Sequence, residues 1–224
     1  MKKPILITID GPSGAGKTSV SRLLARKLGY RYLDTGALYR AVAVAARASD
    51  IGADDDEGLA ALCRRISIDL QAADAGLQVI LDGRDITSEI RAPHISMLAS
   101  AVSARPVVRD FLLVLQRKLG EQKGVVAEGR DMGTVVFPSA EAKFFLTADP
   151  RDRALRRYEE LKLRGKEAPS LEAVEKEMIL RDHNDSTRRL APLTPAADAV
   201  LIDSTRLTLE QVLDLMLSHL ARFK

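Results

Sequence analysis

Gly11-Pro12-Ser13-Gly14-Ala15-Gly16-Lys17-Thr18 is the stretch on which the fold turns. Glycine, four residues, glycine, lysine and a hydroxyl residue is the pattern of a phosphate-binding loop. The residue types follow from the chemistry. Backbone N–H groups must point inward at phosphate oxygens, which calls for glycine torsions and for the partial positive charge of a helix N-terminus. Lys17 is placed to bridge the β- and γ-phosphates of a triphosphate, and Thr18 to offer its hydroxyl to Mg²⁺. Gly11 to Thr18, with Ser19 after them, are therefore the candidate ATP-binding residues. The flanks agree. Ile5-Leu6-Ile7-Thr8-Ile9 is a near-continuous apolar run, as a strand buried on both faces requires, and Val20, Leu23, Leu24 and Leu28 then recur at helical spacing. A glycine-rich turn with a surface lysine is the plain alternative, and sequence and context together weigh against it. The motif implies triphosphate binding without choosing between kinase, switch and motor.

Further buried-strand candidates are Tyr32-Leu33, Val125-Val126-Ala127, Phe144-Phe145-Leu146 and Val200-Leu201-Ile202, most of them separated by helical patterns. The fold class expected is α/β, a five-stranded parallel sheet flanked by helices. Thr208 and Gln211 make a capping-box pattern before a final helix with an apolar stripe of Leu209, Val212, Leu213, Met216 and Leu220. One segment breaks the rhythm. Apolar and polar residues alternate over Ile66-Ser67-Ile68-Asp69-Leu70, then again at Leu77, Val79 and Leu81, with turns near Asp74–Gly76 and at Asp82-Gly83. That is a half-buried antiparallel meander, expected as a small lobe over about residues 60–100. Asp149-Pro150 starts a helix as cap and first-turn proline. Arg151, Arg153, Arg156, Arg157, Lys162 and Arg164 follow, and Gly165 is the expected stop.

Composition excludes several classes. The 224 residues are 46% apolar and 29% charged, as in a soluble globular protein. No run is long enough to span a bilayer, and the Ile5–Ile9 stretch leads straight into the glycine loop, so it reads as a core strand rather than a signal peptide. Cys63 is the single cysteine, which forbids an internal disulfide and favours the cytoplasm. His94, His183 and His219 lack metal-ligand spacing. A net charge of +3 suits nucleotide phosphates as well as nucleic acid, but only 4% of residues are aromatic and none is tryptophan, so stacking platforms for a polymer are few. No apolar stripe demands a dimer, and a monomer is expected.

Arginines suggest the acceptor. Arg40 follows Asp34-Thr35-Gly36-Ala37-Leu38-Tyr39, and Arg130 sits in Glu128-Gly129-Arg130-Asp131 at the end of a buried strand, where open parallel sheets bind ligands. Arg181, Asp185 and Arg188 would share one helix face. Each has a bland reading as a surface pair, a solvated residue or a strand-end ion pair. Beside a phosphate loop they are too many guanidiniums for one nucleotide, and two phosphate groups would use them.

Taken together, GPSGAGKT, Leu33-Asp34-Thr35-Gly36-Ala37-Leu38-Tyr39-Arg40, Glu128-Gly129-Arg130-Asp131-Met132-Gly133-Thr134, and Arg181-Asp182 followed by Asp185 and Arg188 resemble bacterial cytidylate kinase, within the P-loop nucleoside monophosphate kinases. The likeness covers essentially the whole chain. It implies transfer of the γ-phosphoryl group of ATP to CMP, and to dCMP, in pyrimidine nucleotide metabolism, with Mg²⁺ as cofactor and no nucleic-acid or membrane partner. It implies one P-loop kinase domain over 1–224, with core 1–59, 101–150 and 168–224, a monophosphate-binding insert at about 60–100 and a lid at about 151–167. Arg40, Arg130 and Arg188 would hold the acceptor phosphate, near Thr35, which stands where the family also has serine. Ser100, Arg109 and Asp131 would read the cytosine, and Arg181 and Asp185 would hold the ribose. Arg157 would be a lid arginine near the donor phosphates. Lys17, Arg130 and Arg188 are the expected catalytic residues, and Thr18 the expected metal ligand, together with the ATP phosphates.

The chemistry is consistent with these roles. A carboxylate accepts from the cytosine N4 amine and a guanidinium donates to its N3 and O2, so Asp131 with Arg109 suits that base. Rival readings are a kinase for another nucleoside monophosphate, a GTP-dependent switch and a nucleic-acid-binding protein. The switch lacks an Asn-Lys-x-Asp element, and the charge falls in nucleotide-sized clusters rather than a long tract.

Overall fold

The computed structural model describes residues 3–73, 76–163 and 169–223. In chain order the elements are β1 (Leu6–Asp10), α1 (Lys17–Leu28), β2 (Arg31–Asp34), α2 (Thr35–Ala48), α3 (Asp56–Arg65), β3 (Ile68–Ala73), β4 (Gly76–Leu81), β5 (Arg84–Asp85), α4 (Pro93–Val102) and α5 (Pro106–Gly120). Then come β6 (Val125–Gly129), β7 (Ala142–Thr147), α6 (Pro150–Leu163), α7 (Leu171–Thr187), β8 (Val200–Asp203) and α8 (Leu209–Leu220). They group into two compact units, one of Met1–Leu33 with Leu119–Lys224, the other Asp34–Lys118.

The first unit is built on the parallel sheet, in the order β2-β6-β1-β7-β8. β1 lies at its centre, with Ile7 opposite Val126 on one side and Ile9 opposite Phe144 on the other. All five β1 residues are buried, which is why its sequence reads as a continuous apolar run rather than an alternating one. Ile7, Ile9, Val20, Leu24, Phe144, Ile202 and Met216 share one core, so α1 and α8 both pack on this sheet. α8 carries the expected capping box. Gln211 N donates to Thr208 Oγ1 at 3.2 Å, and Thr208 N donates back to Gln211 Oε1 at 2.8 Å. Of its expected stripe, Val212, Leu213, Met216 and Leu220 are buried while Leu209 is exposed. Loss of an N-cap hydroxyl costs about 1 kcal/mol. Thr208→Ala is therefore expected to lower the melting temperature by about 2–4 °C in a chain of this size, with activity untouched. Thermal unfolding followed by circular dichroism checks it.

α6 and α7 form a pair within the same unit, joined by Ala154, Leu161, Val174 and Met178. Asp149 caps α6 as expected, accepting from Arg151 N at 2.9 Å. Arg164 and the expected stop at Gly165 lie outside the described residues. One expectation is corrected. Arg188 does not continue the helical face of Arg181 and Asp185: α7 ends at Thr187 and Arg188 is extended, at φ −60° and ψ 141°. Leu193 N donates to Asp185 O at 2.8 Å and folds the chain back over the helix end.

The second unit holds the antiparallel meander, β3-β4-β5, in the register the alternation requires, with Ile68 opposite Leu81 and Leu70 opposite Val79. Asp82 and Gly83 join β4 to β5 at φ 50° and 80°, the doubly left-handed turn that matches strand twist. The expected turn near Asp74–Gly76 includes Asp74 and Ala75, outside the described residues. Buried α2 residues run round the whole helix, from Leu38 and Ala41 to Val44, because it packs among Leu59, Val79, Ile90, Ile95 and Leu112. Among the described residues, no helix is long and apolar enough to cross a membrane.

Candidate active site

The phosphate loop leaves β1 at Asp10 and enters α1 at Lys17. Gly11 has φ 143°, and a Cβ there would lie 1.9 Å from Leu146 O, so the strand beside it admits only glycine. At Gly14, φ 73°, a Cβ would stand 2.8 Å from Arg153 O. Side chains brace the loop from outside. Arg153 is almost fully buried; its Nη1 donates to Ser13 O at 3.0 Å and to Asp182 Oδ2 at 2.5 Å, and its Nε to Ala148 O at 2.9 Å. Asp182 Oδ1 accepts from Ser13 N at 3.4 Å, so one ion pair holds both sides of the Ser13 residue. Ser204 Oγ donates to Ala15 O at 3.1 Å.

Lys17 is buried, and its Nζ donates to Pro12 O at 2.6 Å. Burial, then the Arg130 guanidinium, pushes its pKa down to about 7, with Glu128 opposing and Arg181 adding to the fall. A loop that already repels its own lysine charge is prepared for a polyanion. Thr18 Oγ1 donates to Glu128 Oε1 at 2.8 Å, and the Tyr32 hydroxyl donates to the same oxygen. Arg22 lies over the Tyr32 ring, 5.3 Å from its centroid. Ser19 is in the first turn of α1 with its side chain exposed.

Beyond β6 the same unit gathers a half-buried charge net. Arg130 Nε donates to Asp185 Oδ2 at 3.0 Å, Arg181 Nε lies 3.9 Å from that oxygen, and Arg188 Nη2 lies 3.7 Å from Asp131 Oδ1. Burial works to raise the Asp185 carboxyl, but the Arg130, Arg181 and Arg188 guanidiniums outweigh it and hold the acid below its usual range. Three guanidiniums against two carboxylates leave this net one positive charge in excess. It suits an anion. Arg157 in α6 donates to Glu160 Oε2 at 2.9 Å.

In the second unit Thr35 is buried at the start of α2. Asp34 caps that helix, accepting from Ala37 N at 2.9 Å, and draws two guanidiniums, Arg40 at 3.1 Å and Arg91 at 3.7 Å. Ser100 in α4 and Arg109 in α5 are both buried. Arg109 donates to Ser103 O at 3.2 Å and stands 5.8 Å from the Tyr39 ring centroid.

The cytidylate kinase family model matches residues 7–222 of this chain. The chain belongs to the cytidylate kinase family. A cytidylate kinase of Geobacter sp. strain M21 is 51% identical over 212 residues, covering 95% of this chain and 91% of that protein. One of Syntrophotalea carbinolica is 51% identical over 221 residues, 99% of this chain and 94% of its own. Among solved structures, a gluconokinase from Sinorhizobium meliloti 1021 superposes with a TM-score of 0.50 at 16% identity, over 99% of this chain and 94% of that one, a likeness of fold alone.

Within this cytidylate kinase family member, the structure brings Arg130, Arg181, Asp185, Asp131 and Arg188 into one net, and sets Lys17 and Thr18 at one helix start. It sets Arg40 on Asp34 and Arg109 on Tyr39. Sequence reasoning missed Asp10, Tyr32, Arg91 and the roles of Glu128, Arg153 and Asp182. Glu128 stood in a quoted motif and was the findable one; a carboxylate inside an apolar strand needs a partner. Arg153 was hidden among the five cations of α6. Arg91 sits in a short helical turn, Glu89–Arg91, with no periodic signal.

Proposed function

We propose that the protein is a (d)CMP kinase that transfers the γ-phosphoryl group of ATP to CMP, and to dCMP, giving ADP and the diphosphate. The observation that carries this reading is the charge net of Arg130, Arg181 and Arg188, held in the same unit as the phosphate loop of a chain that the family model matches over residues 7–222. In this reading Gly11 to Ser19 and Arg157 bind ATP. Arg40, Arg130 and Arg188 hold the CMP phosphate, with Thr35 beside it. Arg181 and Asp185 hold the ribose, and Ser100, Arg109 and Asp131 read the cytosine. The insert at about 60–100 serves the monophosphate and the segment 151–167 is the lid, residues 164–167 of it lying outside the described residues. The single, buried cysteine fits a cytoplasmic enzyme.

Chemistry of this kind needs no general base. A phosphate monoester is largely dianionic near neutral pH, its second pKa being about 6, so its oxygen attacks directly. What the chain supplies is position and charge. The loop N–H groups and Lys17 fix the donor, and the three arginines hold the acceptor and take up the charge that shifts during transfer.

Membership of a kinase family implies a divalent cation carried with the nucleotide. The residues fit Mg²⁺. Thr18 Oγ1 and the Glu128 carboxylate, 2.8 Å apart, are hard oxygen donors. Among the described residues no cluster of three acidic, histidine or cysteine side chains could hold an ion alone. Phosphate oxygens and water would complete the shell, as Mg²⁺ prefers. When bound, the ion neutralises charge on the β- and γ-oxygens.

The test is ADP production from Mg-ATP with CMP, dCMP, UMP, AMP and GMP offered separately. CMP and dCMP should dominate. Uracil sets its O4 against the Asp131 carboxylate, a repulsion that selects against UMP. A base contact of this kind carries about 1–3 kcal/mol of discrimination. Asp131→Ala should therefore shrink the CMP-over-UMP ratio of kcat/KM by about 10- to 100-fold. If another monophosphate wins in the wild type, the kinase core stands and the base-reading assignment falls.

A further inference from the structure

Asp10 is the last residue of β1, and the phosphate loop begins at the next position. Its backbone completes the pairing of β1 with β6, opposite Gly129. Past that point its side chain continues the pairing. Asp10 Oδ1 accepts from Met132 N at 2.9 Å and Oδ2 from Gly133 N at 2.8 Å. Those two donors open the helical turn Met132–Val136, directly after Arg130 and Asp131. The turn is packed down on the sheet at this point, since a Cβ on Gly133 would meet Thr8 Oγ1 at 3.1 Å and the Lys143 side chain at 3.2 Å.

A carboxylate is an expensive choice for such a place. Asp10 is 4% exposed, and burial raises its pKa to about 6 against the two N–H bonds; Asp131 adds to the rise and Lys17 opposes it. Only an ionised carboxylate accepts from two successive N–H groups, one on each oxygen, without turning a donor of its own toward them. Asparagine, of the same shape, offers one oxygen and one amine.

We propose that Asp10 is a positioning residue for the acceptor: it pins the Met132–Gly133 end of the turn and so aims Arg130 and Asp131, acting through the backbone rather than on the nucleotide. This rests on the reading of Arg130 and Asp131 as CMP-binding residues. One residue thus joins the start of the donor loop to the start of the acceptor turn. Misplacement by about 1 Å of a group that positions substrate costs about a hundredfold in rate.

The experiment compares wild type, Asp10→Asn and Asp10→Glu by initial rates with CMP and UMP as acceptors, together with Mg-ATP affinity by calorimetry and thermal melting. Asp10→Asn should lower kcat/KM for CMP by about a hundredfold and cut the CMP-over-UMP ratio at least about tenfold. Its Mg-ATP affinity should stay within about threefold of wild type. Asp10→Glu keeps both acceptors but pushes the turn outward, so it should recover part of the loss and still distort CMP selectivity. It also decides the matter if the asparagine variant does not fold. An equal loss in Mg-ATP affinity, or CMP parameters unchanged in the glutamate variant, overturns the proposal. Wild type failing on CMP would instead overturn the assigned function.

Discussion

Replacing Lys17 with methionine is expected to lower kcat by at least about a thousandfold while leaving a folded protein. Lys17 is the first residue of α1, and its Nζ donates to Pro12 O. Burial and the Arg130 and Arg181 cations hold its pKa at about 7, below the ordinary 10.5. The unfolded chain therefore binds more protons there than the native one between about pH 7 and 10.5, and stability rises with pH across that window. Below about pH 7 the native state carries the full cost of the buried ammonium. Methionine has similar length and no charge, so at pH 6–7 the variant should melt no lower than wild type. Any loss of rate is then a loss of chemistry.

The same shift makes a second readout available. A triphosphate brings negative charge to the loop and reverses the field at Lys17, so its pKa must rise on binding. At pH 8 wild type should take up a fraction of a proton with Mg-ATP, visible as a dependence of binding enthalpy on buffer ionisation heat. Lys17→Met should lose that dependence. A kcat within tenfold of wild type, or proton uptake that survives the substitution, would remove Lys17 from its assigned role.

Much of this was legible beforehand, for a physical reason. Burial of β1 on both faces leaves a continuous apolar run, half-burial of β3 and β4 leaves an alternating one, and both imprints are local. Glycine torsions in the phosphate loop are local too. What escaped reading acts across the chain. Asp10 meets Gly133 across 123 positions and Arg153 meets Ser13 across 140, and no periodicity records a side chain reaching distant backbone. Arg188 shows the limit from the other side. Its spacing from Arg181 and Asp185 pointed to one helix face, yet the bond from Leu193 N to Asp185 O turns the chain back just beyond Thr187. Arg188 reaches Asp131 because the helix ends, not because it continues.

That position makes Arg188→Ala the more informative of the two losses. The Arg188 side chain is 7% exposed, its Nε donates to Ala191 O at 2.8 Å, and its Nη2 stands 3.7 Å from Asp131 Oδ1. One end of the fork is thus held by backbone while the other faces the carboxylate assigned to the base. Truncation removes one of three guanidiniums from the net and lessens the positive excess that an incoming phosphate would meet. Losing a preorganised donor of this kind costs about 10²- to 10³-fold. The expected result is a fall of that size in kcat/KM for CMP, expressed in kcat as well as KM because charge shifts between donor and acceptor in the transition state. Mg-ATP affinity should change little, since the loop N–H groups and Lys17 remain. Arg188→Lys should recover little of the loss. An ammonium is a point charge and cannot keep the Ala191 bond while presenting a second, planar pair of donors. A purely structural arginine would behave otherwise: its removal would lower the melting temperature and leave kcat/KM for CMP within about threefold, and that outcome would take Arg188 out of the acceptor site.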